Sequence, residues 1–178
     1  MMGQAPDNIL KIKLFILDVD GVLTDGGIII GSNGEEYKKF NVKDGGGISI
    51  ARKAGFKFAI ISGRYSKVID VRAKELKIDM VYQGAARKTD AYEDIKKKTG
   101  LKDSEICFIG DEIIDIPAMQ TCGFSSAPKD AVREAKETAD YVCETGGGGG
   151  CVREVIEMVL KKQKLWTDAV KRYLGNEE

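Results

Sequence analysis

Leu14-Phe15-Ile16-Leu17-Asp18-Val19-Asp20-Gly21-Val22-Leu23-Thr24-Asp25 is the stretch that decides the fold. Four consecutive apolar residues suit a strand buried on both faces, as in a parallel sheet covered by helices. Two acids follow at once, two positions apart. In extended backbone, residues i and i+2 project from one face. Asp18 and Asp20 then share a pocket where like charges repel unless a cation neutralises them. Magnesium, a hard ion that takes carboxylate, phosphate and water oxygens, resolves that conflict. The bland alternative is a solvated turn; the sharper one is phosphoryl chemistry on a metal at a strand end.

The same alternation continues along the chain. Short apolar runs at Lys13 to Leu17, Lys57 to Ile61, Met80 to Tyr82, Ile106 to Ile109, Gly123 to Ser125 and Tyr141 to Val142 read as strands. Between and after them, segments of helical period fit Gly47 to Ala54, Lys67 to Leu76, Thr89 to Thr99, Ile113 to Gln120, Ala131 to Glu137 and Val152 to Lys162. Gly55 and Gly100 sit where helix ends favour a left-handed residue. Strands alternating with helices predict an α/β fold, a Rossmann-like parallel sheet with helices on both faces. One segment breaks the pattern: Gly27 to Phe40, with Gly31-Ser32-Asn33-Gly34 at its centre, reads as a protruding β-hairpin. Its isoleucines, Ile28, Ile29 and Ile30, require a partner surface, on the same subunit or on another. A tail from about residue 164 to 178 has helical period, with Trp166, Val170, Tyr173 and Leu174 apolar; it docks on its own core or a neighbour's.

The 178 residues fit one domain, 1–178, with room for a substantial core. Lys plus Arg and Asp plus Glu both number 28, so no net positive field points to nucleic acid or a membrane surface. A small-molecule partner is expected. No window approaches the length of a membrane span, and Met1 to Lys11 lacks the apolar centre of a secretion signal. A cytoplasmic protein is expected, with Cys107, Cys122, Cys143 and Cys151 reduced and structural. The chain contains no histidine, which excludes histidine acid–base chemistry, phosphohistidine and His-ligated zinc. Carboxylates and lysine must carry any proton or phosphoryl work.

Three further polar clusters follow predicted strands: Ser62-Gly63-Arg64, Lys88, and Gly110-Asp111-Glu112-Ile113-Ile114-Asp115. In open α/β sheets, ligands bind beyond the carboxyl ends of the strands, so these groups converge with Asp18 and Asp20 on one crevice. Taken singly, Ser62 also fits a helix cap and Lys88 a surface lysine. Together, in this order, the four segments resemble the four motifs of the haloacid dehalogenase-like phosphatases. The resemblance implies that Asp18 is the nucleophile, Asp20 the general acid and base, Ser62 a hydrogen-bond donor to the phosphoryl group, and Lys88 the charge-stabilising lysine. It implies Mg2+ held by the Asp18 carboxylate, the Asp20 carbonyl and Asp111, with Asp115 in support.

Spacing restricts the subtype. Asp20 and Ser62 are 42 positions apart and Ser62 and Lys88 are 26 apart, which the hairpin and helices already consume. No separate cap domain fits. From Leu14 to Leu160 the chain is similar to an uncapped branch of the family that acts on phosphorylated keto-sugar acids as tetramers. That resemblance implies a sugar-acid phosphate substrate, lipopolysaccharide sugar synthesis as the setting, and a homotetramer whose hairpins help close neighbouring sites. It also assigns Gly63, Arg64, Lys43, Asp44 and Gln83 to substrate binding. Arg64 can face a carboxylate in bidentate fashion, or form a surface ion pair. Departures from the branch are Glu112 for an aspartate, Gly46 for an aromatic and Gly149 for a long basic residue. Three other readings stay open: a nine-carbon substrate, a non-catalytic tetramerisation module, and a receiver domain phosphorylated on aspartate. Gly146 to Gly150 lack the G-K-S/T of a nucleotide loop and read as a turn.

Overall fold

The computed structural model describes residues 7–175; the expected domain and tail limits at residues 1–6 and 176–178 lie outside the described residues. Six parallel strands form one sheet: β1 (Leu14–Leu17), β4 (Lys57–Ile61), β5 (Met80–Tyr82), β6 (Ile106–Ile109), β7 (Phe124–Ala127) and β8 (Tyr141–Val142). Their order is β5-β4-β1-β6-β7-β8, and β2 (Ile29–Ile30) and β3 (Glu36–Tyr37) make a separate antiparallel ladder. β1 pairs along its whole length with Lys57–Ile60 on one side and Ile106–Ile109 on the other.

Period-two alternation divides the core into two layers. Phe15, Leu17, Phe58, Ile60, Cys107 and Ile109 pack with α1 (Val42–Lys53), α2 (Lys67–Leu76), α6 (Cys151–Lys162) and α7 (Trp166–Tyr173). Leu14, Ile16, Ala59, Ile61, Ile106 and Phe108 face the other way, toward α3 (Lys88–Thr99), α4 (Ile116–Thr121) and α5 (Arg133–Thr138). Helices therefore cover both faces, and the residues of β1, β6 and β7 between them are buried. The four cysteines are free, and Cys107, Cys143 and Cys151 are buried.

The helix after the hairpin starts five residues earlier than expected. Asn41 caps α1 by accepting from Lys43 N at 2.9 Å. Gly45 to Gly47 lie inside it, and at Gly45 and Gly47 an added Cβ would crowd side chains of neighbouring helices. At Gly45 a Cβ would sit 2.6 Å from the Arg72 guanidinium, and at Gly47 2.8 Å from Arg153. Helix close-packing outweighs the cost of glycine, of order 1 kcal/mol per residue. The expected helix Ile113 to Gln120 divides: a 3₁₀ turn covers Ile113–Asp115 and α4 begins at Ile116, with Pro117 in its first turn. The tail docks on its own chain, with Ala169 buried and Trp166 and Val170 packed on the core, while Tyr173 and Leu174 stay exposed.

Between β1 and α1 the chain holds only the hairpin, and between β4 and β5 only α2, so no cap domain is present among the described residues. The chain reverses direction across the sheet at β1, between β4 and β6. This is the switch point where α/β sheets bind ligands.

Candidate active site

Asp18 directly follows β1, and its N–H donates to Ile109 O at 3.0 Å, extending the ladder past the last strand residue. This ties its backbone to the end of β6. Lys88, the first residue of α3, is 2 % exposed. Its Nζ lies 2.8 Å from Asp18 Oδ1 and 2.6 Å from Asp115 Oδ1. Asp115, fully buried, spends its second oxygen on the N–H groups of Asp111 and Glu112 at 3.1 and 3.2 Å. That pair of bonds folds the segment after β6 into its turn and presents Asp111 to Asp18. Gly110 permits the turn, since a Cβ there would sit 2.5 Å from that of Asp115. Gly21 permits the approach from the other side, with φ +88° and a would-be Cβ only 2.0 Å from Asp111 Oδ2.

One carboxylate oxygen from each of Asp18, Asp111 and Asp115 lies within 4.8 Å of the other two. Three acids and one ammonium leave this buried cluster with excess negative charge. Burial pushes Asp18 up to about 6, against the pull of Lys88 and with a further push from Asp115. Burial, then the charges of Asp18 and Asp115, push Asp111 up to about 8. Burial alone would lower Lys88, but the two carboxylates beside it outweigh burial and hold it above its ordinary value. Asp111 Oδ1 is buried without a hydrogen-bond partner. A hard divalent cation fits this donor set: all oxygen, negatively charged, with an unsatisfied lone pair.

Around the cluster opens a cavity of ≈ 280 Å³, lined by Asp18, Asp20, Ser62, Gly63, Arg64, Lys88, Asp111 and Glu112, with Gly26 and Ile114. Two larger hollows, of ≈ 380 and ≈ 540 Å³, lie along α1, α2 and α7 and beside β5, and neither gathers the acid cluster. Ser62, at the end of β4, is 1 % exposed and its N–H donates to Tyr82 O at 2.8 Å. It is not a helix cap: that position belongs to Ser66, whose Oγ accepts from Val68 N. Arg64 stands at the mouth, half exposed, 3.0 Å from Glu36 and 3.8 Å from Asp20.

Three expected substrate residues do not line this cavity. Lys43 is exposed on the first turn of α1. Asp44 is buried and accepts from Arg153 N at 2.8 Å, in the first turn of α6. Burial pushes its carboxyl up to about 6. Gln83 ties Ser66 N to Asp70, with bonds of 2.8 and 2.6 Å. Conversely, Lys38 was not among the expected site residues, yet its ammonium pairs with Asp20 and its side chain is fully buried. Its two-residue spacing from Glu36 across a strand end was the available signal. The glycine run buttresses the site from behind. Gly148 N donates to Val22 O at 2.9 Å, and a Cβ at Gly147 would sit 2.0 Å from Gly21 O.

Residues 72–155 match the model of the haloacid dehalogenase-like hydrolases. The chain is 44% identical over 153 residues to 3-deoxy-D-manno-octulosonate 8-phosphate phosphatase of Escherichia coli (strain K12), covering 86% of this chain and 81% of that protein. The chain belongs to the haloacid dehalogenase-like hydrolases. Two crystal structures extend the likeness within this family to nearly the whole fold. The phosphatase of the same name from Moraxella catarrhalis, in complex with magnesium, phosphate and a KDO molecule, superposes with a TM-score of 0.90 at 38% identity over 93% of this chain and 95% of that one. The Yersinia pestis phosphatase superposes at 0.89 and 38% identity over 92% and 90%.

Proposed function

We propose that this phosphatase of the haloacid dehalogenase-like family hydrolyses a sugar-acid phosphate, 3-deoxy-D-manno-octulosonate 8-phosphate first among them, through a phosphorylated Asp18. The observation that carries the reading is the bridge from Lys88 to both Asp18 and Asp115, inside a buried acid cluster built from distant segments. The name and 44% identity of the Escherichia coli relative support the substrate.

Magnesium would be held by the Asp18 carboxylate, the Asp20 carbonyl and Asp111, with Asp115 in support, and would supply neutralisation of the phosphate charge. The remaining steps belong to side chains. Lys88 and Ser62 hold phosphoryl oxygens. A carboxylate oxygen of Asp18 attacks phosphorus as the bond to the alcohol oxygen breaks, and Asp20 gives that oxygen a proton. Asp20 then takes a proton from water, whose oxygen attacks the phosphorus of the acyl phosphate. Inorganic phosphate leaves and Asp18 is restored. Arg64, beside Gly63 at the mouth and paired with Glu36, would receive the substrate carboxylate in exchange for that partner.

The domain assignment 1–178, the cytoplasmic location and the homotetramer complete the reading. Four free cysteines suit a reducing compartment, and no described helix is long and apolar enough to cross a membrane. Ile28, Ile29, Ile30 and Tyr37 are each more than half exposed on a hairpin of two-residue strands, a surface suited to burial between subunits. Phosphate release from eight- and nine-carbon keto-acid phosphates and simple sugar phosphates, with and without magnesium, tests the function. The reading expects magnesium dependence and the highest kcat/KM on the eight-carbon ester. No metal-dependent release from any ester would end it, and a nine-carbon preference would reassign the substrate.

A further inference from the structure

Lys38 lies just past β3, between Tyr37 and Lys39, which are both exposed, yet its own side chain has no exposed surface. Its ammonium bonds Asp20 Oδ1 and stands 3.4 Å from Glu36 Oε1. Glu36 in turn accepts from Arg64 Nη2 at 3.0 Å, and Arg64 Nη1 stands 3.8 Å from Asp20 Oδ2. Four charges of alternating sign thus join the loop after β1, the hairpin and the end of β4. The carboxylate of Asp20 is outside the cluster formed by Asp18, Asp111 and Asp115. The hairpin, and not the metal-type cluster, fixes its direction.

Resting on the assignment of Asp20 as acid and base, we propose that Lys38 is a positioning residue for that group. It anchors Oδ1 to the hairpin and leaves Oδ2, the oxygen on the Arg64 side, as the one that exchanges the proton. A short carboxylate beside an open cavity has two-fold torsional freedom about its last bond. One buried, charge-assisted bond removes that freedom, and misplacement of a reacting group by about 1 Å can cost about 100-fold in rate. The hairpin has a second role in this arrangement. Ile29 and Tyr37 oppose each other across its ladder and are exposed. Glu36 and Lys38, each one residue from Tyr37, project from the other face toward Asp20. Whatever seats the outer face of the hairpin therefore also sets the proton donor.

The test uses the full-length protein with magnesium and two esters: the best alkyl phosphate of the panel and p-nitrophenyl phosphate, whose phenolate leaves without a proton. The quantity compared is kcat/KM, which reports only the steps through departure of the alcohol. Lys38→Met is expected to lower kcat/KM for the alkyl ester about 10- to 100-fold and to leave that for p-nitrophenyl phosphate within about threefold, a split set by the worth of proton donation. Lys38→Arg, which keeps the charge, is expected to restore part of the alkyl-ester rate. If Lys38→Met does not fold, as judged by circular dichroism, Lys38→Gln is measured in the same way. Equal losses on both esters in a folded variant, or no loss on either, would overturn the inference. A parent protein inactive on both esters would instead bring down the assignment of Asp18 and Asp20, and the inference with it.

Discussion

Replacing Lys88 with methionine keeps the length of the side chain and removes its ammonium. In the parent that ammonium lies 2.8 Å from Asp18 and 2.6 Å from Asp115, with Lys88 2 % exposed and Asp115 fully buried. Its loss leaves three clustered carboxyl groups with no cation among them. Removing one partner of a buried ion pair costs about 3–5 kcal/mol, because the remaining charge is neither solvated nor paired. For a chain of this size that cost lowers Tm by about 6–20 °C. The assay is thermal unfolding of parent and variant in a chelator, then in excess magnesium. An ion that binds only the folded state at 100 times its Kd contributes about 2.7 kcal/mol. It binds the variant more tightly than the parent, since no lysine competes for the carboxylates, so magnesium should narrow the gap in Tm. Phosphate release should stay at least 100-fold below the parent, because phosphoryl charge loses its fixed counter-charge. A variant as stable as the parent in chelator would refute the claim that Lys88 holds the acid cluster together.

Asp44→Asn tests a buried acid away from the cluster. Burial holds the folded Asp44 carboxyl up at about 6, above its ordinary 3.8, so the native state binds the extra proton and the parent gains stability as pH falls through 6. Between pH 7.5 and pH 5 that gain is about 1.4 kcal/mol. Urea unfolding of both proteins should show Asp44→Asn losing about this much relative to the parent over that interval, and a pH-independent difference would contradict the burial argument. Deleting Ile28 to Tyr37 should lower both the oligomeric state in sedimentation and the rate of phosphate release. A fully active monomer would discard the role given to the hairpin.

Most strands were legible because they are near-continuous apolar runs, which both faces of the sheet need, whereas β7 runs on to Ala127, past the expected end at Ser125, because Ser125 and Ser126 interrupt its apolar pattern. The cluster of Asp18, Lys88, Asp111 and Asp115 was legible because each group follows or faces a strand end, where topology leaves few places for it to go. Asp44 lies away from the cavity, a placement its sequence neighbours do not reveal. The family resemblance assigned Asp44 to substrate binding, whereas in this fold its carboxylate accepts from Arg153 N at the start of α6. The early start of α1 was hidden by Gly45 to Gly47, whose use depends on Arg72 and Arg153 from other helices. Lys38 was hidden because a lysine in a polar hairpin ordinarily faces solvent. Only the three-dimensional return of the hairpin over Asp20 buries it.

The measurement that bears most directly on the account is phosphate release by Asp18→Asn in the presence of magnesium. The substitution keeps the shape of the side chain and removes its nucleophilic oxygen anion. The account predicts a folded protein whose release rate falls on the order of 1,000-fold or more. A folded Asp18→Asn protein that hydrolyses the eight-carbon ester at the parent rate would contradict it.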